Sequence, residues 1–343
     1  MSDGILRCAV IGVGRMGRHH ARVYAQMDGV ELVGVVDHDP QRAADIVEEW
    51  GGKPFATIED LLTAGVDAVT IATPTAHHRE TAEQLLAAGV ACLIEKPLAP
   101  TAQDAAAIAT AADKAGVALQ VGHVVRYDPV MQAIQSLGEL HPRHLELHRI
   151  SPMTFRSVDV GVVLDMMIHD LDLLTMLVGG VPDDVQASAV AVLGEAEDVA
   201  NVRMTYPPDA EGHCCVANVT ASRLAMKTER TLRIISEDIY VSADFVERKV
   251  KVIRKAANAE QLADLRARLA AGEDLSDVNY LDLVQFEDLV VADAEPLKLQ
   301  AEDFLRCVRT GARPPVDAGA GSLAVTLAER IVQQARGGQL SLT

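Results

Sequence analysis

The chain has 343 residues, of which 49% are apolar and 23% charged, enough for about two domains at roughly 150 residues each and typical of a folded globular protein. With 31 Lys and Arg against 49 Asp and Glu the formal net charge is -18, which repels a polyanion where no basic patch is concentrated, so nucleic acid is excluded as a partner. No apolar run reaches the ~20 residues of a membrane-spanning helix, because the best one, 160–178, is broken by Asp165, His169, Asp170 and Asp172.

Short apolar runs at 6–11, 31–36, 68–72, 91–94 and 118–121 alternate with helical patterns that start near Met16, Pro40, Thr75 and Thr101. That alternation predicts a parallel sheet with right-handed crossovers, and the nearly continuous apolar character of each run predicts helices on both faces. Residues 1–124 are therefore expected to form a doubly wound α/β unit.

The first strand runs into Gly12-Val13-Gly14-Arg15-Met16-Gly17 and then directly into a helical pattern. In that setting G-x-G-x-x-G marks a Rossmann dinucleotide site: a tight turn at Gly12, close approach of a pyrophosphate at Gly14 and tight helix packing at Gly17. Arg15 and Met16 open the helix whose amino terminus faces the phosphates. The second strand ends in Asp37, whose carboxylate suits ribose hydroxyls and repels a 2'-phosphate, with Asp39 adding charge. The expected cofactor is NAD, with NADP the second choice because Arg42 and His38 stand nearby. Thr73, Pro74 and His77 follow the third strand on the ligand-binding edge and are further candidate cofactor contacts, although the segment also reads as an ordinary turn capped by Thr75. The fourth strand ends in Glu95-Lys96-Pro97 on the same edge, which places Glu95 and Lys96 beside the cofactor and allows the ammonium to stabilise an alkoxide.

Beyond Tyr127-Asp128-Pro129 the pattern changes. A helix is expected at 130–137, a strand at 144–150, a long helix at 161–178, then strands at 186–193, 200–206, 213–222, 230–236, 239–243 and 248–254 with hairpin-length separations. Helical patterns at 259–271, 296–309 and 320–335 complete an α+β unit, 125–343, built on a mainly antiparallel sheet. In the long helix Asp165, His169 and Asp172 fall at i, i+4 and i+7, one polar stripe on an otherwise apolar helix. Buried charges need partners or a polar cavity. Neutral imidazole suits the base that removes a hydroxyl proton, and Asp165 is placed to orient it.

Together, Val10-Ile11-Gly12-Val13-Gly14-Arg15-Met16-Gly17, Thr73-Pro74-Thr75-Ala76-His77, Glu95-Lys96-Pro97-Leu98-Ala99 and Asp165-Met166-Met167-Ile168-His169-Asp170-Leu171-Asp172 resemble the glucose-fructose oxidoreductase and inositol 2-dehydrogenase (Gfo/Idh/MocA) family over essentially the whole chain. The resemblance implies a catalytic triad of Lys96, Asp165 and His169. It also implies NAD(P)-dependent oxidation or reduction of a secondary hydroxyl on a sugar, cyclitol or nucleotide sugar, and a homodimer or homotetramer formed through the open sheet face. Residues 122–129 and 148–152 look like the branch of UDP-N-acetylglucosamine 3-dehydrogenases, whose stretch reads GHxERFNP, with departures at Val125, Tyr127 and Asp128. That branch makes His123, Arg126 and Arg149 candidate substrate contacts alongside Asp165 and His169. A free cyclitol or aldose stays open as substrate, and a non-catalytic protein that senses NAD and a sugar stays open as the other class.

No metal is expected. Adjacent pairs His19-His20 and His77-His78 face apart on a helix, and His144 with His148 lacks a third ligand. The cysteines, Cys8, Cys92, Cys214, Cys215 and Cys307, have no C-x-x-C spacing, which argues against both zinc and a disulfide framework. Met1-Ser2-Asp3-Gly4 lacks the charged and apolar regions of a signal peptide. A cytoplasmic protein is expected.

Overall fold

In the computed structural model, which describes residues 4–154, 160–193, 195–276 and 278–337, strands Leu6–Ile11 (β1), Val30–Val36 (β2), Lys53–Phe55 (β3), Ala68–Ile71 (β4), Ala91–Glu95 (β5) and Leu119–Gly122 (β6) form a parallel sheet. Their order is β3-β2-β1-β4-β5-β6. The order reverses at β1, and the crevice at the carboxyl ends of β1 and β4 is where such sheets take ligands. The only strand here that the sequence pattern did not predict is β3. It is a three-residue edge strand containing Pro54, and proline is tolerated only at an edge.

Helices Arg15–Gln26 (α1), Pro40–Trp50 (α2), Ile58–Ala64 (α3), His78–Ala87 (α4) and Ala102–Ala115 (α5) connect these strands. Their starts are fixed locally: Asp39, Thr57 and Thr101 accept backbone N–H bonds at the amino ends of α2, α3 and α5, which satisfies donors a helix cannot pair internally.

The second sheet comprises His144–Ile150 (β7), Asp184–Val190 (β8), Val199–Thr205 (β9), Val216–Ser222 (β10), Glu229–Ile235 (β11), Ile239–Asp244 (β12), Lys249–Lys255 (β13) and Val284–Leu289 (β14) in the order β14-β13-β12-β11-β7-β10-β9-β8. Only the β7–β10 pair is parallel. Helices Pro129–Gln135 (α6) and Ile168–Val178 (α7) cover one face, where Val130, Ile134, Leu171 and Leu174 pack on Leu145, Leu147, Leu232 and Ile234. Alternation along β7 sends His144, Glu146 and His148 to the other face. Ala259–Ala270 (α8) precedes β14 and buries none of its described side chains.

Two late helices also pack on the first sheet. Pro296–Thr310 (α9) inserts Leu297, Ala301, Phe304 and Leu305 into the core formed by Val10, Tyr24 and Leu93. The last helix, Ala318–Gly337 (α10), places Ala324 and Val325 in the first unit's core and Leu327, Ala328 and Ile331 in the second's. Ile168, at the start of α7, is likewise buried among Ile94 and Leu98. It is this contact that carries the residue after it, His169, to the carboxyl edge of the first sheet. The signal-peptide reading of Met1-Ser2-Asp3 and the end of the second unit, 338–343, fall outside the described residues.

Candidate active site

β1 delivers the glycine loop to the crevice. Gly12 has φ +81°, and a Cβ there would lie 2.7 Å from the Thr73 nitrogen; at Gly17 a Cβ would lie 1.8 Å from the Gly12 carbonyl oxygen. Gly14 differs, since a Cβ there meets no atom within 4 Å. It is also the N-cap of α1, with no side-chain cap and no acid in the first turn. The helix end is therefore left open to an anion, as a dinucleotide pyrophosphate requires. Arg15 is exposed at this end and Met16 packs inward.

Asp37 accepts from the Val13 N–H at 2.8 Å and the Asp39 N–H at 2.9 Å, so the carboxylate also fixes the loop. Arg42 lies 3.5 Å from Asp37 and 3.7 Å from Asp39, and His38 lies 3.1 Å from Asp37. The two side chains nearest the place of a 2'-phosphate, Arg42 and His38, are thus engaged by acids. A groove of about 670 Å³ runs from Gly12 and Gly14 past Asp37 to Thr73, Pro74 and His77. Its remaining wall includes Glu80, Thr81 and Gln84 of α4, which sequence reasoning did not single out. Buried Thr73 Oγ1 has no partner among the described residues. Open space at Gly14, an uncapped helix end and an orphaned hydroxyl fit an adenine dinucleotide. Thr75 makes no capping bond; it opens a short 3-10 turn ending at His77.

Lys96 follows β5 and donates to the Asp165 carbonyl oxygen at 2.6 Å and to Asp165 Oδ1 at 3.2 Å. Asp165 lies in a π-helical turn, Val163–Met167, that opens α7 in place of the regular helix expected from 161. His169 follows one turn later. Its Nδ1 is sealed without a partner among the described residues, leaving Nε2 as the reachable nitrogen. Burial first, then the charges of Lys96 and Arg149, holds its pKa well below 6.5. The ring is consequently neutral at pH 7 and able to accept a proton. The structure therefore brings Lys96, Asp165 and His169 together.

Two histidines whose side chains position the site loops went unrecognised in the sequence because each acts across elements. His20 of α1 lies with its Nε2 2.7 Å from Glu95 Oε1, fixing the strand end that presents Lys96. Burial opposes ionisation of Glu95, but His20 and then Lys96 hold its carboxyl below the usual carboxylate range. His78 is buried with its ring nitrogens 3.0 Å from the carbonyl oxygens of Thr73 and of Pro97. It ties the cofactor loop to the lysine loop. Val121 donates to Val316 O at 2.8 Å, joining β6 to the segment before α10.

Of the candidate substrate contacts, His123 and Arg149 are buried and Arg126 is nearly so. His123 is completely buried and stands edge-on to His169, ring centroids 6.1 Å apart. Arg149 bonds Asp170 at 2.6–3.1 Å. Arg126 forks onto Asp172 at 2.6 and 2.7 Å and reaches Pro315 O at 3.2 Å. The i+7 member of the polar stripe thus belongs to a buried ion pair, with side chains 1% (Asp172) and 11% (Arg126) exposed. Asp172→Ala strands the guanidinium and is expected to destabilise by about 3–5 kcal/mol in denaturant melts. Arg126→Met with Asp172→Leu should recover most of that, and equal stability of wild type and Asp172→Ala would refute the pairing.

His123 is also held below its usual pKa, by burial first. Two histidines whose folded pKa values are depressed contribute stability that is complete above about pH 6.5 and is lost as pH falls below it, because the unfolded chain then binds more protons. The slope is up to about 1.4 kcal/mol per pH unit for each histidine. Thermal midpoints from pH 7.5 to 5 should fall, with a shallower fall in His123→Asn; a flat wild-type profile contradicts this.

Among the described residues no three His, Cys, Asp or Glu side chains gather as a metal site, and no helix is long and apolar enough to cross a membrane. His144 lies 3.5 Å from Glu146 and His148 3.4 Å from Glu229.

The family model described as GFO/IDH/MocA oxidoreductase, NAD-binding Rossmann fold, matches residues 6–123, and the GFO/IDH/MocA C-terminal domain matches 136–238. A UDP-N-acetylglucosamine 3-dehydrogenase of Acidithiobacillus ferrooxidans is 37% identical over 280 residues, 79% of this chain and 87% of that protein. A solved structure of the enzyme of that name from the same organism superposes with a TM-score of 0.85 at 34% identity, covering 97% of this chain and 98% of the other. A scyllo-inositol 2-dehydrogenase of Bacillus subtilis is 30% identical over 188 residues, 51% of this chain and 54% of that protein. The chain belongs to the Gfo/Idh/MocA oxidoreductase family, and the unit built on its parallel sheet is the family's NAD-binding Rossmann domain.

Proposed function

We propose that this enzyme oxidises the C3 hydroxyl of UDP-N-acetylglucosamine to a ketone. The observation that carries the reading is the whole-length likeness to an enzyme of that activity, with Lys96, Asp165 and His169 gathered at the cofactor edge. NAD, when bound, supplies the hydride acceptor. Gly12, Gly14, Gly17 and the α1 amino terminus would hold its pyrophosphate, Asp37 its ribose, and Thr73, Pro74 and His77 the wall of its groove.

His169 Nε2 takes the hydroxyl proton as the carbon loses hydride, so proton and electron pair leave by separate routes. The tautomer with its proton on Nδ1 gives Nε2 the lone pair this needs. Lys96 spends two donors on Asp165, which leaves a third for the oxygen on which negative charge develops. Asp165 keeps the ammonium in place. A cytoplasmic location fits the five free thiols. A homodimer or homotetramer through the open sheet face fits its cross-strand row Ile235, Tyr240, Ile253 and Phe286.

Absorbance at 340 nm tests the reading. Incubation of the purified chain with NAD and UDP-N-acetylglucosamine should produce NADH, and myo-inositol or glucose should not. Signal with the free polyols alone would overturn it.

A further inference from the structure

β7 and β11 run side by side with Leu145 opposite Ile234, Leu147 opposite Leu232 and Arg149 opposite Arg230. The four aliphatic side chains are sealed in the core, so the two-residue period puts both arginines on that same helix-covered face, at the end where α7 begins. Two guanidiniums at cross-strand spacing repel, and an anion beside them relieves the repulsion; Arg149 is buried, whereas Arg230 is exposed and open to a ligand. Arg149 has Asp170. Arg126 and Arg248 bond Asp172 and Asp293. Among the described residues no hydrogen bond or ion pair engages the Arg230 guanidinium. Arg230 stands opposite Arg149, whose partner Asp170 directly follows His169 in the chain, so this guanidinium lies at the end of the sheet that backs the catalytic histidine. Burial first, and the charge of Arg149 second, lowers its pKa, while the carboxylates of Asp170 and Asp128 oppose that shift.

We propose that Arg230 is the diphosphate anchor of the substrate site, taking the place that the buried pairs of Arg126 and Arg149 cannot fill. The assignment rests on the nucleotide-sugar reading above. In such a substrate the diphosphate hangs from C1 and the reacting hydroxyl from C3, so an anchor has to stand near the base, and Arg230 lies across from Arg149, whose partner Asp170 adjoins His169. A guanidinium meets phosphate oxygens through two parallel N–H donors, a geometry a lysine cannot reproduce.

Calorimetric titration with UDP, and separately with NADH, tests it on wild type, Arg230→Met and Arg230→Lys. Arg230→Met keeps the aliphatic stem and removes the charge. It should weaken UDP by on the order of 10–100-fold and raise KM for the UDP-sugar by the same factor, while NADH affinity and the thermal midpoint stay unchanged. Arg230→Lys should restore part of the loss. Unchanged UDP affinity in Arg230→Met, with wild type binding UDP, overturns the role of Arg230 alone. Equal loss of UDP and NADH overturns it in favour of a cofactor or folding effect. Failure of wild type to bind UDP at all overturns the nucleotide-sugar reading itself, and this proposal with it.

Discussion

His169→Asn should lower kcat by about 10²–10⁴-fold, the usual worth of a positioned general base, with little change in NADH affinity. Asparagine keeps polarity and approximate size but has no nitrogen lone pair to accept the proton. The pH profile separates this from mere disturbance of the site. In wild type the base is neutral down to a pH well below 6.5, because burial opposes the charged ring first and Lys96, Arg149, His123 and Arg230 oppose it further. The acid limb of log kcat/KM should therefore lie below 6.5, and it should be absent from the residual activity of His169→Asn. A variant that keeps wild-type kcat, or that loses activity while retaining the same acid limb, would assign the base to another group.

What was legible in the sequence is what local rules control. The glycine loop, the strand that precedes it and the helix that follows are contiguous, so their geometry is written in the spacing of Gly12, Gly14 and Gly17 and in the collision each added Cβ would cause or avoid. Lys96 and His169 were legible for a different reason: polar groups at a strand end and on an apolar helix need an explanation. What stayed hidden depended on partners distant in sequence. His20 means nothing until α1 is packed against Glu95, 75 positions away. The carboxylates that hold Arg126 and Arg149, Asp172 and Asp170, belong to a helix whose rotation sequence spacing cannot give. The π-helical turn beneath Asp165 alters that rotation locally. Arg230 was read only as part of a strand; its place opposite Arg149 depends on the register of β11 on β7.

Lys96→Met should lower kcat by about 10²–10³-fold, as for removal of one preorganised donor to a developing oxyanion, and should change KM much less, because the alcohol in its ground state carries no charge for the ammonium to stabilise. Methionine retains most of the stem, so the packing between β5 and α7 is preserved. A second effect has the opposite sign from a general loss of structure. After burial, the ammonium of Lys96 is the largest influence depressing the pKa of His169, and its removal lets that value rise toward 6.5. The acid limb of log kcat/KM in Lys96→Met should then lie at higher pH than in wild type. Steady-state profiles from pH 4.5 to 8 would show it. A large kcat loss with an unmoved limb would mean that the lysine does not share the electrostatic field of the base, and a limb moved to lower pH would contradict the assigned geometry.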